Sequence, residues 1–152
     1  MVIYKVLMCG LKHNIIIAVI CCFNSFVAWA GTPEAIKSEG MNLKLEQVAD
    51  GLAVVWGMCF ISDKQLLVTE RDGSVKRIDI DSGRATLLKN VPEVLAQGQG
   101  GMLDVVLSPD YKKTGWIYFT YVKDIEGNGV TTLARAKLKN SMLYQWQDLL
   151  VT

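Results

Sequence analysis

A repeat of 47 residues constrains the fold of this chain more than any other feature of its sequence. The segment Phe60-Ile61-Ser62-Asp63 aligns with Leu107-Ser108-Pro109-Asp110, which lies 47 residues further along. Each copy reads as an apolar strand, a polar turn and a second apolar strand. A period of about 40–50 residues with several short strands per unit is typical of β-propeller blades. The repeat therefore predicts an all-β propeller, of which this chain covers about two blades.

The two predicted blades have four strands each. The first blade comprises residues 54–61, 65–71, 74–80 and 85–91, and the second comprises residues 103–107, 116–122, 130–138 and 146–151. Turn residues separate the strands, and Asp72-Gly73 is the clearest hairpin signal. We expect a further strand over residues 41–48, without a partner in this chain, and a helical turn over residues 92–96.

The first 30 residues are predicted to be an export signal. Lys5 and Lys12 give a positive start, residues 15–23 form a short apolar core, and Ala28-Trp29-Ala30 fits the small-x-small rule for cleavage. The apolar core is too short to span a bilayer, which takes about 20 residues. We expect cleavage before Gly31, no stable membrane span afterwards, and a periplasmic or secreted protein. Residues 31–42 then form a flexible lead-in, and residues 43–152 form the incomplete propeller domain.

Loss of the signal removes the only histidine and three of the four cysteines, Cys9, Cys21 and Cys22. Lys5 and Lys12 are the charged residues of that segment, so 14 of the 16 basic and all 15 acidic residues remain, a formal net charge of −1. This balance gives no electrostatic case for binding nucleic acid or an anionic membrane. The single histidine, His13, leaves with the signal. Cys59 remains without another cysteine to pair with, and its place in an apolar strand predicts a core residue rather than a nucleophile.

The connections of a four-stranded meander alternate between the two ends of the sheet. The turn at residues 70–73 and the glycine-rich crossing at residues 97–101 should therefore share one face of the propeller. Glycines let a ligand approach the backbone, which makes the crossing the better candidate for a binding site. Gln99 is the candidate residue, because a carboxamide can both donate and accept hydrogen bonds to a polyhydroxyl ligand. A merely solvated glutamine is the alternative, and Glu70-Arg71 is either a structural ion pair or part of the ligand face.

Two weaker motifs are better explained as turns. Gly98-x-Gly100 leads into a strand and has Leu103 at the third glycine position, which argues against a dinucleotide-binding loop. The acidic stretch that begins at Asp124 starts like a calcium loop. Its twelfth position is Arg135, where such a loop requires glutamate, so a turn between strands is preferred.

Several motifs resemble those of one enzyme family. Residues 98–105 (GQGGMLDV) followed by residues 108–111 (SPDY) resemble the GQGGLLDV…PDF signature of aldose sugar dehydrogenases that depend on pyrroloquinoline quinone (PQQ). These enzymes belong to the soluble glucose/sorbosone dehydrogenase family. Residues 56–58 with residues 67–71 match its WGM…LVTER stretch, and residues 91–94 match its VPEV. The resemblance implies six four-stranded blades in the whole protein, with about the first two in this chain.

The same resemblance implies an activity. In the family, PQQ takes a hydride from the anomeric carbon of an aldose, a histidine base removes the hydroxyl proton, Ca²⁺ polarises the cofactor, and an external acceptor takes the electrons. By motif match Gln99 would contact the sugar. The histidine, the cofactor arginine and the calcium loops are expected beyond residue 152, so this chain holds no assigned catalytic, cofactor-binding or metal-ligating residue. The chain alone is expected to be inactive.

Two other functions remain open from the residues themselves. The first is a propeller lactonase or another metal hydrolase, which would need carboxylates and amides converging on a metal in the central channel. The second is a non-catalytic propeller that binds sugars or protein partners. A downstream histidine together with calcium ligands would favour the dehydrogenase over both.

Overall fold

The computed structural model describes residues 1–8, 15–18 and 36–152, which form twelve strands and one short helix. The described chain divides into two compact units, Met1–Leu52 and Ala53–Thr152. The first unit is an antiparallel sheet with strand order β2-β1-β4-β3. Its strands are β1 (Ile3–Met8), β2 (Ile15–Ala18), β3 (Ile36–Ser38) and β4 (Met41–Ala49).

The strand predicted over residues 41–48 exists as β4, but the prediction that it lacks a partner is wrong. Strand β4 pairs with β1 along one edge and with β3 along the other. Both neighbours are antiparallel, so they satisfy backbone groups that an isolated strand would leave unpaired. The predicted cleavage site at residues 28–30 and part of the apolar core lie outside the described residues. Among the residues that are described, no helical segment has the length and hydropathy that a membrane crossing requires.

The second unit contains two four-stranded meanders. The first meander has strand order β5-β6-β7-β8. Its strands are β5 (Val55–Ser62), β6 (Gln65–Glu70), β7 (Val75–Asp79) and β8 (Ala85–Leu87). The hairpin predicted at Asp72-Gly73 is confirmed, since Gly73 adopts φ +102° and its N–H donates to the Glu70 carbonyl at 3.0 Å. Glycine suits this turn because residues that carry a side chain rarely adopt a positive φ.

The second meander has strand order β12-β11-β10-β9. Its strands are β9 (Met102–Leu107), β10 (Trp116–Ile125), β11 (Asn128–Lys139) and β12 (Met142–Val151). The connection between β9 and β10 contains α1 (Tyr111–Thr114), a single turn that ends at Gly115 in the left-handed conformation. The helical turn predicted over residues 92–96 is wrong. That segment contains no helix, and its Leu95 N–H donates to the Val122 carbonyl on β10 at 2.9 Å.

The hairpin formed by β10 and β11 has the most regular pairing in the second meander. Its register runs without a shift from Trp116 opposite Lys137 to Ile125 opposite Asn128. Glu126 and Gly127 form the turn with φ of 52° and 83°, the pattern of a two-residue turn that matches the twist of a hairpin. The Asp124 carboxylate accepts the Gly127 N–H at 2.8 Å. The acidic motif is therefore a hairpin turn, as predicted.

The two meanders pack face to face, as neighbouring blades do. Their shared apolar core comprises Leu67, Val75, Leu88, Met102, Val105, Ile117, Phe119, Tyr121, Ala134, Ala136 and Leu143. Along one edge, β5 lies so close to β9 that a Cβ added to Gly57 would meet the Asp104 Cα at 2.9 Å. The Thr69 hydroxyl donates to the Leu103 carbonyl across the same edge at 2.6 Å. At the other edge, the Lys89 N–H donates to the Ser141 carbonyl at 2.9 Å.

Candidate functional site

The segment that joins the two blades, residues 92–101, is called the glycine crossing below. Two of its residues, Leu95 and Gly101, are tied to Val122 on β10. The Val122 carbonyl accepts the Leu95 N–H at 2.9 Å, and the Val122 N–H donates to the Gly101 carbonyl at 2.8 Å. Residues 96–100 therefore lie between two residues that are both bonded to Val122.

The crossing and the Asp72-Gly73 hairpin share one face, as predicted. A Cβ added to Gly73 would lie 3.0 Å from a methyl group of Val94, so the two loops touch. At the other end of the blades, Ile61 and residues 108–115 line one groove. Gln99 is not among the residues that line this groove.

Gln99 stands at the exposed tip of the glycine crossing. The turn beneath it is closed by the Gly100 N–H, which donates to the Gln97 carbonyl at 2.6 Å. A Cβ on Gly100 would meet the Leu95 carbonyl oxygen at 2.4 Å, and a Cβ on Gly101 would meet the Arg71 carbonyl oxygen at 2.1 Å. Both positions exclude any side chain, so the glycines allow the tight path that exposes Gln99. The structure therefore places this residue where the sequence predicted it, at a loop that a ligand can approach.

Glu70 and Arg71 have different partners and different roles. Glu70 is 1% exposed, and its carboxylate accepts the Ala53 N–H at 2.8 Å and the Lys76 ammonium at 2.8 Å. Its ionic partner is thus Lys76 and not Arg71, which favours the structural interpretation for Glu70. The Arg71 guanidinium instead faces the glycine crossing, where it donates to three backbone carbonyls.

A polar cluster on β10 and β12 was missed by the sequence reasoning. The Asp148 carboxylate accepts hydrogen bonds from the Tyr121 hydroxyl at 2.9 Å, the Lys123 ammonium at 2.8 Å and the Trp146 indole N–H at 3.1 Å. Burial acts to raise the pKa of Asp148, but these donors outweigh it and lower the pKa. Burial and, after it, the bond to Asp148 raise the pKa of Tyr121 to about 12.

This cluster lines a cavity of about 430 Å³ beneath residues 92–95. Its polar groups bond to one another, so we interpret it as a support for the start of the crossing. No sequence signal marks it, because Lys123 and Asp148 belong to strands that are not adjacent, and only the register brings them together.

Cys59 has the character that the sequence predicts. Burial, followed by the nearby Asp104 carboxylate, raises the pKa of the Cys59 thiol to about 12. The thiol is therefore protonated at neutral pH, and a protonated thiol is a poor nucleophile.

The described residues do not provide a built site for a metal or for an anionic quinone. Within residues 1–8, 15–18 and 36–152, no group of three or more His, Cys, Asp or Glu side chains is placed to hold a metal ion. At the face of the glycine crossing, Arg71, Lys76 and Lys123 are each bonded to acceptors of the chain itself. Cationic side chains committed in this way are poorly placed to bind the carboxylates of a quinone.

Comparison with known proteins gives consistent matches. Residues 52–152 match the family model described as glucose/sorbosone dehydrogenase. The aldose sugar dehydrogenase YliI of Escherichia coli is 32% identical over 103 residues, which cover 66% of this chain and 28% of that protein. The quinoprotein glucose dehydrogenase B of Acinetobacter calcoaceticus is 34% identical over 89 residues, covering 55% of this chain and 18% of that protein.

Solved structures agree with these sequence matches. The soluble aldose sugar dehydrogenase of Escherichia coli, in its apo form, superposes with a TM-score of 0.65 at 30% identity, over 70% of this chain and 32% of that one. The PQQ-bound aldose sugar dehydrogenase of Streptomyces coelicolor gives a TM-score of 0.62 at 28% identity, over 69% and 32%. The chain spans less than a third of the length of each of these relatives. By its matched segment, its two antiparallel blades and its glycine crossing, the chain belongs to the glucose/sorbosone dehydrogenase family.

Proposed function

We propose that the whole protein is an oxidoreductase that converts aldose sugars to lactones with PQQ and Ca²⁺ and passes the electrons to an external acceptor. This chain contributes two blades and one sugar contact, Gln99. The relatives named above as sugar dehydrogenases support the proposal. The observation that carries it is the exposed position of Gln99 at the tip of a loop. The tight path of this loop requires glycine at positions 100 and 101.

The role of Gln99 follows from the chemistry of its side chain. A carboxamide can donate to one sugar oxygen and accept from another hydroxyl, which orients the ring as well as binding it. The hydrogen bonds that shape the tip are made by the backbone and by the Arg71 guanidinium, and not by the Gln99 side chain. The carboxamide is therefore available to a ligand. PQQ supplies the hydride acceptor when bound, and neither it nor Ca²⁺ is assigned to any described residue.

Substitution of Gln99 in the full-length protein tests this role. Gln99→Ala should lower kcat/KM for aldoses about tenfold to a hundredfold, because hydroxyls desolvated by the site lose their partner, at a cost of about 1–3 kcal/mol. Gln97 is exposed on the same loop and is the matched control. Gln97→Ala should change kcat/KM less than about twofold. Steady-state reduction of a dye acceptor measures both, and an unchanged kcat/KM in Gln99→Ala for every aldose tested would remove Gln99 from the site.

We also propose that residues 1–152 alone do not oxidise aldoses, even with PQQ and Ca²⁺ supplied. The single histidine of the chain is His13, which lies outside the described residues, so the described part offers no imidazole base. Turnover of dye by the purified chain would contradict this. Lactone hydrolysis by the full-length protein without dye reduction would favour the metal hydrolase, and ligand binding without turnover would favour a binding module.

Export is part of the same proposal. Cleavage after Ala30 should give a mature periplasmic or secreted protein that begins at Gly31. Mass spectrometry of the secreted or periplasmic fraction measures the N-terminus, and a soluble exported form that keeps residues 1–30 would contradict the proposal.

A further inference from the structure

We propose that Arg71 is the positioning residue of the sugar site and acts by fixing the loop that carries Gln99. The inference rests on the function proposed above, because it concerns how the Gln99 carboxamide is held. Its structural half, the control of the loop by Arg71, can be tested without any activity.

The contacts of Arg71 lie in the part of the crossing between the two residues that Val122 holds, where the backbone makes one bond of its own, from the Gly100 N–H to the Gln97 carbonyl at 2.6 Å. Val122 fixes the crossing at Leu95 and at Gly101. Between these two points, the Arg71 Nη2 atom donates to the Gly98 carbonyl at 2.8 Å and, more weakly, to the Ala96 carbonyl at 3.4 Å. Its Nε atom approaches the Gly100 carbonyl at 3.4 Å. One side chain thus engages alternate carbonyls on both sides of Gln99.

The Arg71 side chain starts from a backbone that both blades hold in place. The Arg71 N–H donates to the Val54 carbonyl at 2.8 Å, and the Arg71 carbonyl accepts the Met102 N–H at 3.2 Å. The guanidinium carbon also lies 5.9 Å from the centre of the Trp56 ring, at the outer limit of a cation–π contact. Through Arg71, the position of the loop is therefore fixed relative to the edge where β5 and β9 meet.

The chemistry of the site explains why an arginine is suited to this position. A planar guanidinium presents several N–H donors in a fixed fork, whereas a lysine ammonium is a point charge on a flexible stem. The crossing contains Gly98 and Gly100, which lose much conformational entropy when they are ordered. Without the fork, residues 96–100 would sample more conformations, and fewer of them would place the Gln99 carboxamide against a sugar.

Hydrogen exchange tests the structural half on the full-length protein. Arg71→Ala and Arg71→Lys should both speed amide exchange in residues 97–101, Arg71→Ala by about tenfold or more, which corresponds to about 1.4 kcal/mol of lost protection. Arg77→Ala is the matched control, because Arg77 donates to the Asn140 carbonyl at 2.8 Å and thus also joins the first blade to a backbone carbonyl of the second. In Arg77→Ala, the rate of amide exchange in residues 97–101 should equal that of the unchanged protein.

Kinetics test whether Arg71 acts through Gln99. Arg71→Lys should lower kcat/KM about threefold to tenfold in the unchanged background, with a near-normal unfolding temperature. In a Gln99→Ala background the same change should have little further effect, because two residues that act as one unit are not additive.

The outcomes separate the two proposals. If the loss of kcat/KM caused by Arg71→Lys adds fully to the loss caused by Gln99→Ala, the positioning role is wrong, while Gln99 stays in the site. The same holds if amide exchange in residues 97–101 is unchanged in both Arg71 variants. An unchanged kcat/KM in Gln99→Ala would instead overturn the function proposed for the loop, whatever Arg71 does to its exchange. Faster exchange in the loop together with a non-additive kinetic effect supports the positioning role.

Discussion

Gly57→Ala is the most direct test of how the two blades meet. Gly57 lies on β5 at the edge where this strand approaches β9. A Cβ added there would meet the Asp104 Cα at 2.9 Å, the Asp104 Oδ1 at 2.8 Å and the Thr69 Oγ1 at 2.9 Å. The two oxygens belong to side chains that can move, but the Cα belongs to the backbone of β9. The substitution therefore forces the strands apart.

The structure sets the size of the effect. Ordinary van der Waals contact for a Cβ begins at 3.4 Å, so β9 must move by about 0.5 Å at this point. Such overpacking costs about 1–3 kcal/mol. The movement also strains the hydrogen bond from Thr69 to the Leu103 carbonyl, which adds about 1 kcal/mol. We expect Gly57→Ala to lower the free energy of unfolding by about 2–4 kcal/mol.

Pulse proteolysis across a urea series measures this loss at low protein concentration. Gly129→Ala is the matched control, because a Cβ there would meet its neighbours at nearly the same distances, 2.9 Å and 3.0 Å, but these are the side-chain carbons of Val122 and Leu95. Such atoms can yield, so the control should cost no more than about 1 kcal/mol. Equal losses in the two variants would refute the argument that the backbone of β9 sets the limit at Gly57.

Three further predictions concern individual polar groups, Asp148, Cys59 and Glu70. The donors around Asp148 hold its pKa below the usual carboxyl value, so its stabilising contribution is complete above about pH 4 and is lost as the pH falls through the lowered pKa. Asp148→Asn should flatten the acid side of the stability profile, as measured by urea midpoints at successive pH values. Burial raises the pKa of Cys59 to about 12, so iodoacetamide at about pH 8 should modify it slowly in the folded chain and quickly in urea, as followed by peptide mass mapping. Glu70→Gln should cost about 1–3 kcal/mol because Lys76 loses its partner, whereas Asp81→Asn, which breaks an exposed pair, should leave the urea midpoint unchanged.

The elements that the sequence predicted well are those that local patterns specify. The repeat from Phe60 to Leu107 located the first strands of both meanders, and turn residues located the hairpins. Because connections alternate between the ends of a meander, strand order alone placed Gln99 on the face of the Asp72-Gly73 hairpin. The prediction of a helical turn over residues 92–96 was wrong because local patterns do not show that the Leu95 N–H bonds to Val122 on a strand of the next blade, and this bond holds the segment extended.

The contacts that the sequence did not reveal depend on register and on neighbouring strands. The partners of Asp148 lie at positions that become neighbours only when β10, β11 and β12 are in register. Likewise, Glu70 and Arg71 are adjacent in sequence, yet Glu70 ends β6 and Arg71 begins the turn that follows, and each finds its partners elsewhere. Even the matched motif did not distinguish the loop-holding arginine from the buried glutamate beside it.

The unshifted hairpin of β10 and β11 has a consequence for the order in which this chain folds. Its pairs are close in sequence and its turn is pre-shaped at Gly127, so it closes a small loop at little entropic cost. Leu95 and Gly101 of the glycine crossing are both tied to Val122, which belongs to this hairpin. During synthesis the crossing emerges before β10, so it can bond to Arg71 at once, but its two bonds to Val122 form only after the hairpin behind it has formed. The loop that carries Gln99 is therefore among the last parts of the two blades to take its final shape.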